Sequence, residues 1–559
     1  MAFTDFYPPA VPAAIDLPTE SLVQLLDTAV AEAPDHVAMD FFGQTTSYRR
    51  LHEQVGRAAE GLRQLGVRPG DRVAIVLPNC PQHLIAFYAT LRLGAVVVEH
   101  NPLYTARELR HMFEDHSARV AICWDAACAN LMRQPDDVAI DHIVSVNLLD
   151  AFPPHLRWAL QLPLPPLRRK RRALTAKPVG ATTTWKRLLA NGGLDPKFPR
   201  PTVDDLAAIQ YTSGTTGTPK GAMLTHFNLY ANALQSEAWL HEVRDRVETF
   251  YAVLPFFHAF GLLLFAIYGV LKQGRIHLFP TFDVDLVLGA VKKDPPTVMG
   301  GVPPIYEKTA LAAKARRISL RSVKVGICGA MSLPRDTLEL WESMAGGQLI
   351  EGYGMTESSP VTLGNPWWTT RKAGTIGLPF PSTRTRVVDL DDPTVEVGPG
   401  ARGELLVAGP QVFQGYWNNP AETEATLLPG GWLRTGDIVT QDADGFTTIV
   451  DRKKELIITG GFNVSPSEVE AVLRGFPDIE DVAVVGLPNA SGGERVVAAV
   501  LVKPGAVLDD AALRGYSRER LTAYKVPREF YVFDSFPTSM LGKVLRAEVR
   551  DKLLAQVAA

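Results

Sequence analysis

A run of small and polar residues at positions 212–221 sets the first limit on how this chain folds; it lies within Tyr-Thr-Ser-Gly-Thr-Thr-Gly-Thr-Pro-Lys-Gly-Ala-Met-Leu-Thr-His, residues 211–226. All ten positions are Gly, Ser, Thr, Pro or Lys. These residues bring almost no apolar surface to bury, so the run is predicted to be a loop. Backbone N–H groups at its glycines, its hydroxyls and the Lys220 ammonium together are suited to binding phosphates.

The spacing of the run is Gly-x-x-Gly-x-x-Lys-Gly, which matches neither the P-loop nor the dinucleotide-binding fingerprint. A flexible linker is the structural alternative for a Gly/Ser/Thr stretch. The flanking segments argue against it, because residues 206–211 are typical of a strand and residues 227–240 of a helix. The prediction is therefore a phosphate-binding loop in a strand–loop–helix unit.

Composition indicates a large globular protein, and its charge does not point to a nucleic-acid partner. The chain has 559 residues, a formal net charge of −3 and 46% hydrophobic residues, so more than one domain is expected. Its four cysteines form no Cys-x-x-Cys pair, which fits a reducing compartment. The first 48 residues contain no Lys or Arg, unlike a secretory signal peptide. We expect a cytoplasmic location.

The N-terminal part alternates predicted strands with predicted helices, as in a parallel α/β layer. Strands are expected at 72–77, 95–99 and 119–123, and helices at 81–93 and 106–117. The uncharged segment 250–271 is long enough to span a membrane. Because it contains Pro255, His258 and Gly261, it is interpreted as a buried strand at 251–254 and a buried helix at 261–271.

Residues 151–178 break this pattern and are predicted to form a surface insertion. They include six prolines, Trp158 and five consecutive basic residues: Arg168, Arg169, Lys170, Arg171 and Arg172. One interpretation is peripheral contact with an anionic membrane, worth about 1 kcal/mol per basic residue. The other is a solvated loop, which is what charge runs usually form.

Several motifs in order resemble the adenylate-forming superfamily, and within it the long-chain fatty-acid–CoA ligase (acyl-CoA synthetase) type. The loop at 211–221 resembles the superfamily's phosphate-binding signature. Leu-Ile-Glu-Gly-Tyr-Gly-Met-Thr-Glu-Ser at 349–358, Trp-Leu-Arg-Thr-Gly-Asp at 432–437 and the Gly-Lys pair ending at Lys543 resemble its other motifs. The resemblance covers about residues 21–550.

The resemblance implies roles for individual residues. ATP or AMP would be bound by Thr212, Ser213, Gly214, Thr215, Thr216, Gly217, Gly329, Ala330, Tyr353, Gly354, Asp437 and Arg452. Lys543, Thr356, Glu357 and Lys220 would be catalytic, and Glu357 would also hold Mg²⁺. His258 and Gly261 would line the acyl pocket, Lys454 would be the hinge, and Gly460 and Gly461 would line the tunnel for coenzyme A. Taken singly, each also fits a structural role: a core histidine, a helix start or a solvated lysine.

The implied fold is α/β, with a large multi-subdomain N-terminal body at residues 1–452 and a small, mobile α+β domain at residues 453–559. The implied reaction joins a medium- to long-chain fatty acid to CoA through acyl-AMP, with ATP and Mg²⁺ and release of pyrophosphate. Alternatives are an aryl or cinnamate-type acid–CoA ligase, a fatty acyl-AMP ligase that delivers to a carrier protein, and a non-catalytic membrane-associated nucleotide-binding protein. A homodimer and a peripheral position on the inner face of the membrane are further expectations.

Overall fold

The structure, a computed structural model, describes residues 3–135, 137–177, 180–212, 219–459, 462–489, 494–521, 523–539 and 542–558. Two compact units divide the chain. The first comprises residues 1–384 and 407–433, and the second comprises residues 385–406 and 434–559. The boundary predicted between residues 452 and 453 separates the large N-terminal body from a mobile C-terminal domain, and it stays a prediction.

One large sheet of the first unit has seven strands and carries both segments that flank the Gly/Thr-rich loop. Its order is Thr183–Thr184, His142–Val146, Val120–Trp124, Arg72–Val76, Val96–Glu99, Leu206–Thr212 and Lys220–Thr225. All neighbours are parallel except the last pair, which is antiparallel. The predicted parallel α/β layer is confirmed here, because its central strands are apolar runs buried on both faces.

The other large sheet of the first unit has nine strands. Its order is Leu378–Pro379, Val361–Gly364, Gln348–Gly354, Val325–Cys328, Val298–Gly301, Thr249–Ala252, Arg275–Leu278, Val37–Phe41 and Gln44–Ser47. The six strands from Gln348–Gly354 to Val37–Phe41 are parallel, and the strands beyond them are antiparallel. This arrangement brings several strand ends to one edge, where loops usually carry function.

Helices flank the two sheets of the first unit. They span Val23–Glu32, Tyr48–Gln64, Pro81–Arg92, Ala106–His116, Cys128–Met132, Pro154–Ala159, Pro165–Leu174, Trp185–Leu188, His226–Trp239, Ala259–Gly261, Leu262–Ile267, Tyr268–Leu271, Val284–Val291, Pro303–Ala315, Arg335–Met344 and Pro420–Thr426. Thr105 and Glu108 form a capping box that begins Ala106–His116. Almost every residue of Pro81–Arg92 is buried, as expected for a helix that is apolar on all sides.

The second unit contains three α-helices among its described residues, together with strands that pair in both directions: Glu494–Val502 is antiparallel to Ile479–Pro488 and parallel to Glu529–Val532. Strands Arg384–Val388, Gly403–Ala408, Trp432–Gln441 and Thr447–Arg452 form one sheet, Ile457–Thr459 and Phe462–Val464 form a hairpin, and Ile479–Pro488, Glu494–Val502 and Glu529–Val532 form a three-stranded sheet. The helices are Pro466–Arg474, Asp510–Arg518 and Arg546–Ala558. Aliphatic residues on both faces of the three-stranded sheet form the core of this part of the unit. Because the unit combines sheets with helices, its predicted α+β character is confirmed.

The predicted surface insertion is helical, so the expectation of a loop is wrong. Helices Pro154–Ala159 and Pro165–Leu174 both have proline in the first turn, where its missing N–H costs nothing. Neither helix has a buried residue. The second ends where Trp124 Nε1 donates to the Leu174 carbonyl at 3.0 Å. The high proline content predicted a break in the secondary structure, but prolines stand in the first turns of these two helices.

The apolar segment 250–271 is buried in the first unit. It contributes the strand Thr249–Ala252 and three consecutive helical pieces, of which Leu262–Ile267 is a π-helix. The π-helix is entirely buried, and π-helical turns often occur at functional sites. Among the residues that the structure describes, no helix combines the length and the apolar character needed to cross a membrane.

Candidate functional site

The Gly/Thr-rich loop connects two antiparallel strands. Thr212, the last residue of Leu206–Thr212, lies opposite Lys220, the first residue of Lys220–Thr225. The expected strand–loop–helix order is therefore wrong: the strand Lys220–Thr225 precedes the helix, which begins only at His226. The second strand forms because it also pairs with a distant segment: the Trp417 N–H donates to the Gly221 carbonyl at 2.7 Å. Five predicted phosphate ligands lie outside the described residues: Ser213, Gly214, Thr215, Thr216 and Gly217.

Tyr211 fixes the strand that leads into the loop. Its hydroxyl donates to Asp115 Oδ2 at 2.6 Å. The backbone carbonyl of Asp115 accepts from Trp417 Nε1 at 3.2 Å. Burial and the hydrogen bond to Asp115 raise the pKa of Tyr211 well above its usual value, so the hydroxyl stays a donor. Asp115 thus joins Tyr211 to the segment that pairs with Gly221.

Lys220 is held at the start of its strand by an acidic and an aromatic side chain. Its side chain is 11% exposed and forms an ion pair with Glu422. The ammonium lies 5.5 Å from the centroid of the Tyr416 ring, a cation–π distance. The predicted catalytic cation therefore has a carboxylate partner in this structure.

Glu357 lies in the short 3₁₀ helix Thr356–Ser358, directly after the strand Gln348–Gly354 that carries Tyr353. It is 6% exposed, and the Tyr416 hydroxyl donates to its Oε1 at 2.7 Å. Burial and the adjacent Glu357 carboxylate raise the pKa of Tyr416 well above its usual value, which keeps this hydroxyl protonated. Tyr416 thus contacts both predicted ionic residues, Lys220 through its ring and Glu357 through its hydroxyl.

The predicted adenine-binding turn lies against the strand of Tyr353. A Cβ atom at Gly329 would stand 3.1 Å from the Gly352 carbonyl oxygen and 3.2 Å from the Phe260 ring, so only glycine fits without a shift. Ala330 has a φ of +65°, in the left-handed region. Gly354 is the exposed last residue of the neighbouring strand. The structure therefore brings Gly329, Ala330, Tyr353 and Gly354 together.

The two predicted acyl-pocket residues flank Phe260. His258 Nδ1 accepts from the Phe260 N–H at 3.4 Å and caps the helix Ala259–Gly261. Burial lowers the pKa of His258 to about 4, so the imidazole is neutral at physiological pH. A Cβ atom at Gly261 would lie 2.2 Å from the Pro255 carbonyl oxygen. This close backbone approach lies directly before the buried apolar π-helix.

Three predicted site residues of the second unit form a charged cluster. Asp437 is 2% exposed and its Oδ1 lies 2.8 Å from Arg452 Nε, across paired strands. The Lys543 N–H donates to Ser539 Oγ at 3.2 Å, and its carbonyl accepts from the Ser539 N–H at 2.7 Å. Burial and the Arg452 guanidinium lower the pKa of Lys543, with Glu455 and Asp437 acting in the opposite direction.

Of the predicted hinge and tunnel residues, only Lys454 is among those that the structure describes. Lys454 lies in the 3₁₀ helix Lys453–Glu455, between the strands Thr447–Arg452 and Ile457–Thr459. Gly460 and Gly461 lie outside the described residues.

Three residues beside the site escaped the sequence analysis: Asp115, Tyr416 and Glu422. Tyr416 follows a glycine and precedes a tryptophan, a pattern that predicts only a turn. Asp115 and Glu422 are acidic residues in helical segments without any distinguishing neighbour. Their relation to Tyr211 and Lys220 depends on contacts between residues far apart in the chain, which spacing does not reveal.

Comparisons with known proteins agree with this geometry. Residues 26–417 match the family described as AMP-binding enzyme, and residues 468–543 match the AMP-binding enzyme C-terminal domain. A long-chain-fatty-acid–CoA ligase of Bacillus subtilis strain 168 is 36% identical over 558 residues, covering 98% of this chain and 97% of the relative. A feruloyl-CoA synthase of Amycolatopsis sp. is 35% identical over 528 residues, covering 93% and 96%. ATP-bound MatB from Rhodopseudomonas palustris has a TM-score of 0.79 at 29% identity, covering 96% of this chain and 99% of that one.

Proposed function

The chain belongs to the AMP-binding enzyme family, and we propose that it is an ATP-dependent acyl-CoA synthetase for medium- to long-chain fatty acids. The observation that carries this proposal is similarity along almost the whole chain to a long-chain-fatty-acid–CoA ligase. The proposed reaction has two half-reactions. The fatty acid carboxylate attacks the α-phosphorus of ATP, giving acyl-AMP and pyrophosphate, and the CoA thiol then displaces AMP.

The first half-reaction brings one anion against another. At about 4 Å and an effective dielectric constant near 20, each pair of unit charges opposes approach by about 4 kcal/mol. Positive charge has to offset this repulsion, and Lys220 and Lys543 are the lysines we assign to it. No side chain need act as a nucleophile, so catalysis rests on positioning and electrostatic stabilisation.

The residues around Glu357 fit a magnesium ion. The buried Glu357 carboxylate and the Thr356 hydroxyl belong to neighbouring residues of the same short helix, and oxygen donors of this kind are those that Mg²⁺ prefers. Bound Mg²⁺ would neutralise phosphate charge. Within the proposal, Thr356 contacts the α-phosphate, Tyr353 stacks on adenine, and Asp437 and Arg452 bind the ribose. Lys454 as the hinge, and Gly460 and Gly461 as tunnel residues, keep the assignments made from the sequence.

A long acyl chain is favoured because the residues after His258 are strongly apolar. The π-helix Leu262–Ile267 is buried over its whole length and directly follows Gly261. Each methylene that leaves water contributes about 0.8 kcal/mol, so a pocket beside this helix would favour long chains. Aryl and cinnamate-type acids are the second candidate, since the feruloyl-CoA synthase has nearly the same identity to this chain.

Pyrophosphate release across a panel of acids, with and without CoA, tests the proposal. We expect release with medium- to long-chain fatty acids and thioester formation when CoA is added. Release with ferulate or benzoate but with no fatty acid would show that the substrates are aryl or cinnamate-type acids instead. Release without any CoA-dependent thioester would identify a ligase that delivers acyl-AMP to a carrier protein, and no release with any acid would end the proposal.

The helices Pro154–Ala159 and Pro165–Leu174 support peripheral membrane contact as part of this function. Trp158 and Leu164 are 67% and 53% exposed. In the described part of the chain, none of the five basic residues at 168–172 forms an ion pair with an acidic side chain. Exposed aromatic and aliphatic groups beside unpaired positive charge are typical of surfaces that bind anionic lipid. A cytoplasmic location on the inner membrane face and a homodimer belong to the same proposal.

Replacing residues 168–172 with glutamine should release the protein from vesicles that contain anionic lipid. At about 1 kcal/mol per residue, the sedimented fraction should fall at least tenfold, while binding to neutral vesicles should not change. Co-sedimentation measures both. Replacing Arg49, Arg50 and Arg63, which form surface ion pairs, is the matched control. Equal sedimentation of the glutamine variant and the unmodified protein would contradict membrane contact.

A further inference from the structure

Residues 413–423, here called the strap, are fixed to the strand that begins at Lys220. The Met223 N–H donates to the Gly415 carbonyl at 2.9 Å, and the Trp417 N–H donates to the Gly221 carbonyl at 2.7 Å. At its other end, the Glu422 N–H donates to Asn419 Oδ1 at 3.1 Å, which sets the first turn of the helix Pro420–Thr426. These backbone contacts place the strap's side chains beside Lys220.

Two strap side chains contact the two ionic residues of the proposed phosphate site. The Tyr416 hydroxyl donates to Glu357, and the Glu422 carboxylate pairs with the Lys220 ammonium. The ion pair is partly shielded, since the Lys220 and Glu422 side chains are 11% and 29% exposed. An ion pair in such a place attracts more strongly than one on the open surface.

We propose that Glu422 is a counter-ion that competes with polyphosphate for Lys220. This inference rests on the proposed function, since it concerns the same phosphate site. The Lys220 ammonium carries one positive charge, which the Glu422 carboxylate largely neutralises, and the same carboxylate repels a phosphate that approaches Lys220. The triphosphate therefore competes with Glu422 for Lys220 when it binds, and Glu422 favours the departure of pyrophosphate. Glu422 is thus a positioning residue that weakens product retention, and it takes no part in bond making.

Calorimetric titration of the full chain with inorganic pyrophosphate, at fixed Mg²⁺, tests the competition directly. Glu422→Gln keeps the side chain's shape and removes its charge, so pyrophosphate should bind about three to ten times more tightly than to the unmodified protein. Glu422→Asp keeps the charge but withdraws it by one methylene, and an intermediate gain is expected. A substitution that damages the fold should lower the affinity for pyrophosphate, so a gain in affinity distinguishes competition from structural damage.

Glu424→Gln is the matched control, because Glu424 lies in the same helix, is exposed and forms no ion pair among the described residues. It should bind pyrophosphate like the unmodified protein. In a Lys220→Ala background, Glu422→Gln should give no gain. Unchanged or weaker binding by Glu422→Gln, an equal gain from Glu424→Gln, a gain that persists without Lys220, or no binding by any variant would each overturn the inference.

The same titrations separate this inference from the proposed function. If no acid supports pyrophosphate release but Glu422→Gln still tightens pyrophosphate binding, the fatty-acid assignment fails and the competition stands. If fatty acids support release but Glu422→Gln leaves affinity unchanged, the competition fails alone.

Discussion

Tyr416 shows how a single residue outside the recognised motifs can organise the site. Its hydroxyl donates to Glu357 at 2.7 Å and its ring lies below the Lys220 ammonium. In the proposed function Glu357 binds Mg²⁺, and a partner that orients a metal-binding carboxylate commonly contributes a factor of about 10 to 100 in metal affinity or activity. Tyr416 is therefore expected to act through Glu357.

Tyr416→Phe should raise the Mg²⁺ concentration needed for half-maximal pyrophosphate release by about tenfold, since Glu357 loses a hydrogen-bond donor. The fatty acid concentration for half-maximal rate should change little. Tyr531→Phe is the control, because the Tyr531 hydroxyl also donates to a glutamate, Glu529, at 2.7 Å, but lies in the second unit. If both variants keep the original Mg²⁺ dependence, Tyr416 does not orient a metal ligand.

Glu351 predicts a pH dependence of stability. Burial raises the pKa of this carboxyl from 4.5 to about 7, so the folded protein keeps a proton that the unfolded chain loses. The free energy of unfolding should therefore fall as the pH rises from the unfolded pKa through about 7, by roughly 3 kcal/mol at most.

Glu351→Gln should remove that loss. Urea unfolding at about pH 8 should show the variant up to roughly 3 kcal/mol more stable than the unmodified protein, with little difference near pH 5. Glu339→Gln, at an exposed ion pair, should change stability by less than about 0.5 kcal/mol at either pH. A Glu351→Gln variant with an unchanged pH profile would show that the carboxyl is not protonated in the folded protein.

At the scale of elements, local pattern predicted the central strands and helices well. The strand Arg72–Val76 and the helices Pro81–Arg92 and Ala106–His116 lie within one residue of their predicted ends, because buried apolar runs and caps are encoded locally. The strand Lys220–Thr225 was missed because the strap 413–423 pairs with it from far along the chain. Helix Pro165–Leu174 was missed because its prolines fall in the first turn.

The close backbone approach at Gly261 gives an element-scale prediction. Gly261→Ala would place a Cβ atom 2.2 Å from the Pro255 carbonyl oxygen, a backbone atom that cannot move alone. The cost should be about 1–3 kcal/mol of stability. Gly289→Ala is the control: it lies inside Val284–Val291, and its Cβ would meet nothing within 4 Å. It should stabilise by up to about 1 kcal/mol. Equal unfolding free energies for the two variants would contradict this close approach.

At the scale of the whole molecule, the motifs fall into two compact units. Lys220, Tyr353 and Glu357 lie in the first, and Asp437, Arg452 and Lys543 in the second. Each unit combines two separate stretches of sequence, because the strands Arg384–Val388 and Gly403–Ala408 belong to the same sheet as Trp432–Gln441. The order of the motifs along the sequence could predict two domains and their fold classes. It could not predict that residues 385–406 belong to the second unit and residues 407–433 to the first.

We propose that Lys220 and Lys543 both supply positive charge to the first half-reaction, and Lys543→Ala tests this proposal most directly. Acyl-AMP formation, measured as fatty-acid-dependent pyrophosphate release, should fall by at least about 100-fold. Thioester formation from supplied acyl-AMP and CoA should stay close to that of the unmodified protein. Equal loss of both half-reactions, or no loss of pyrophosphate release, would contradict the claim.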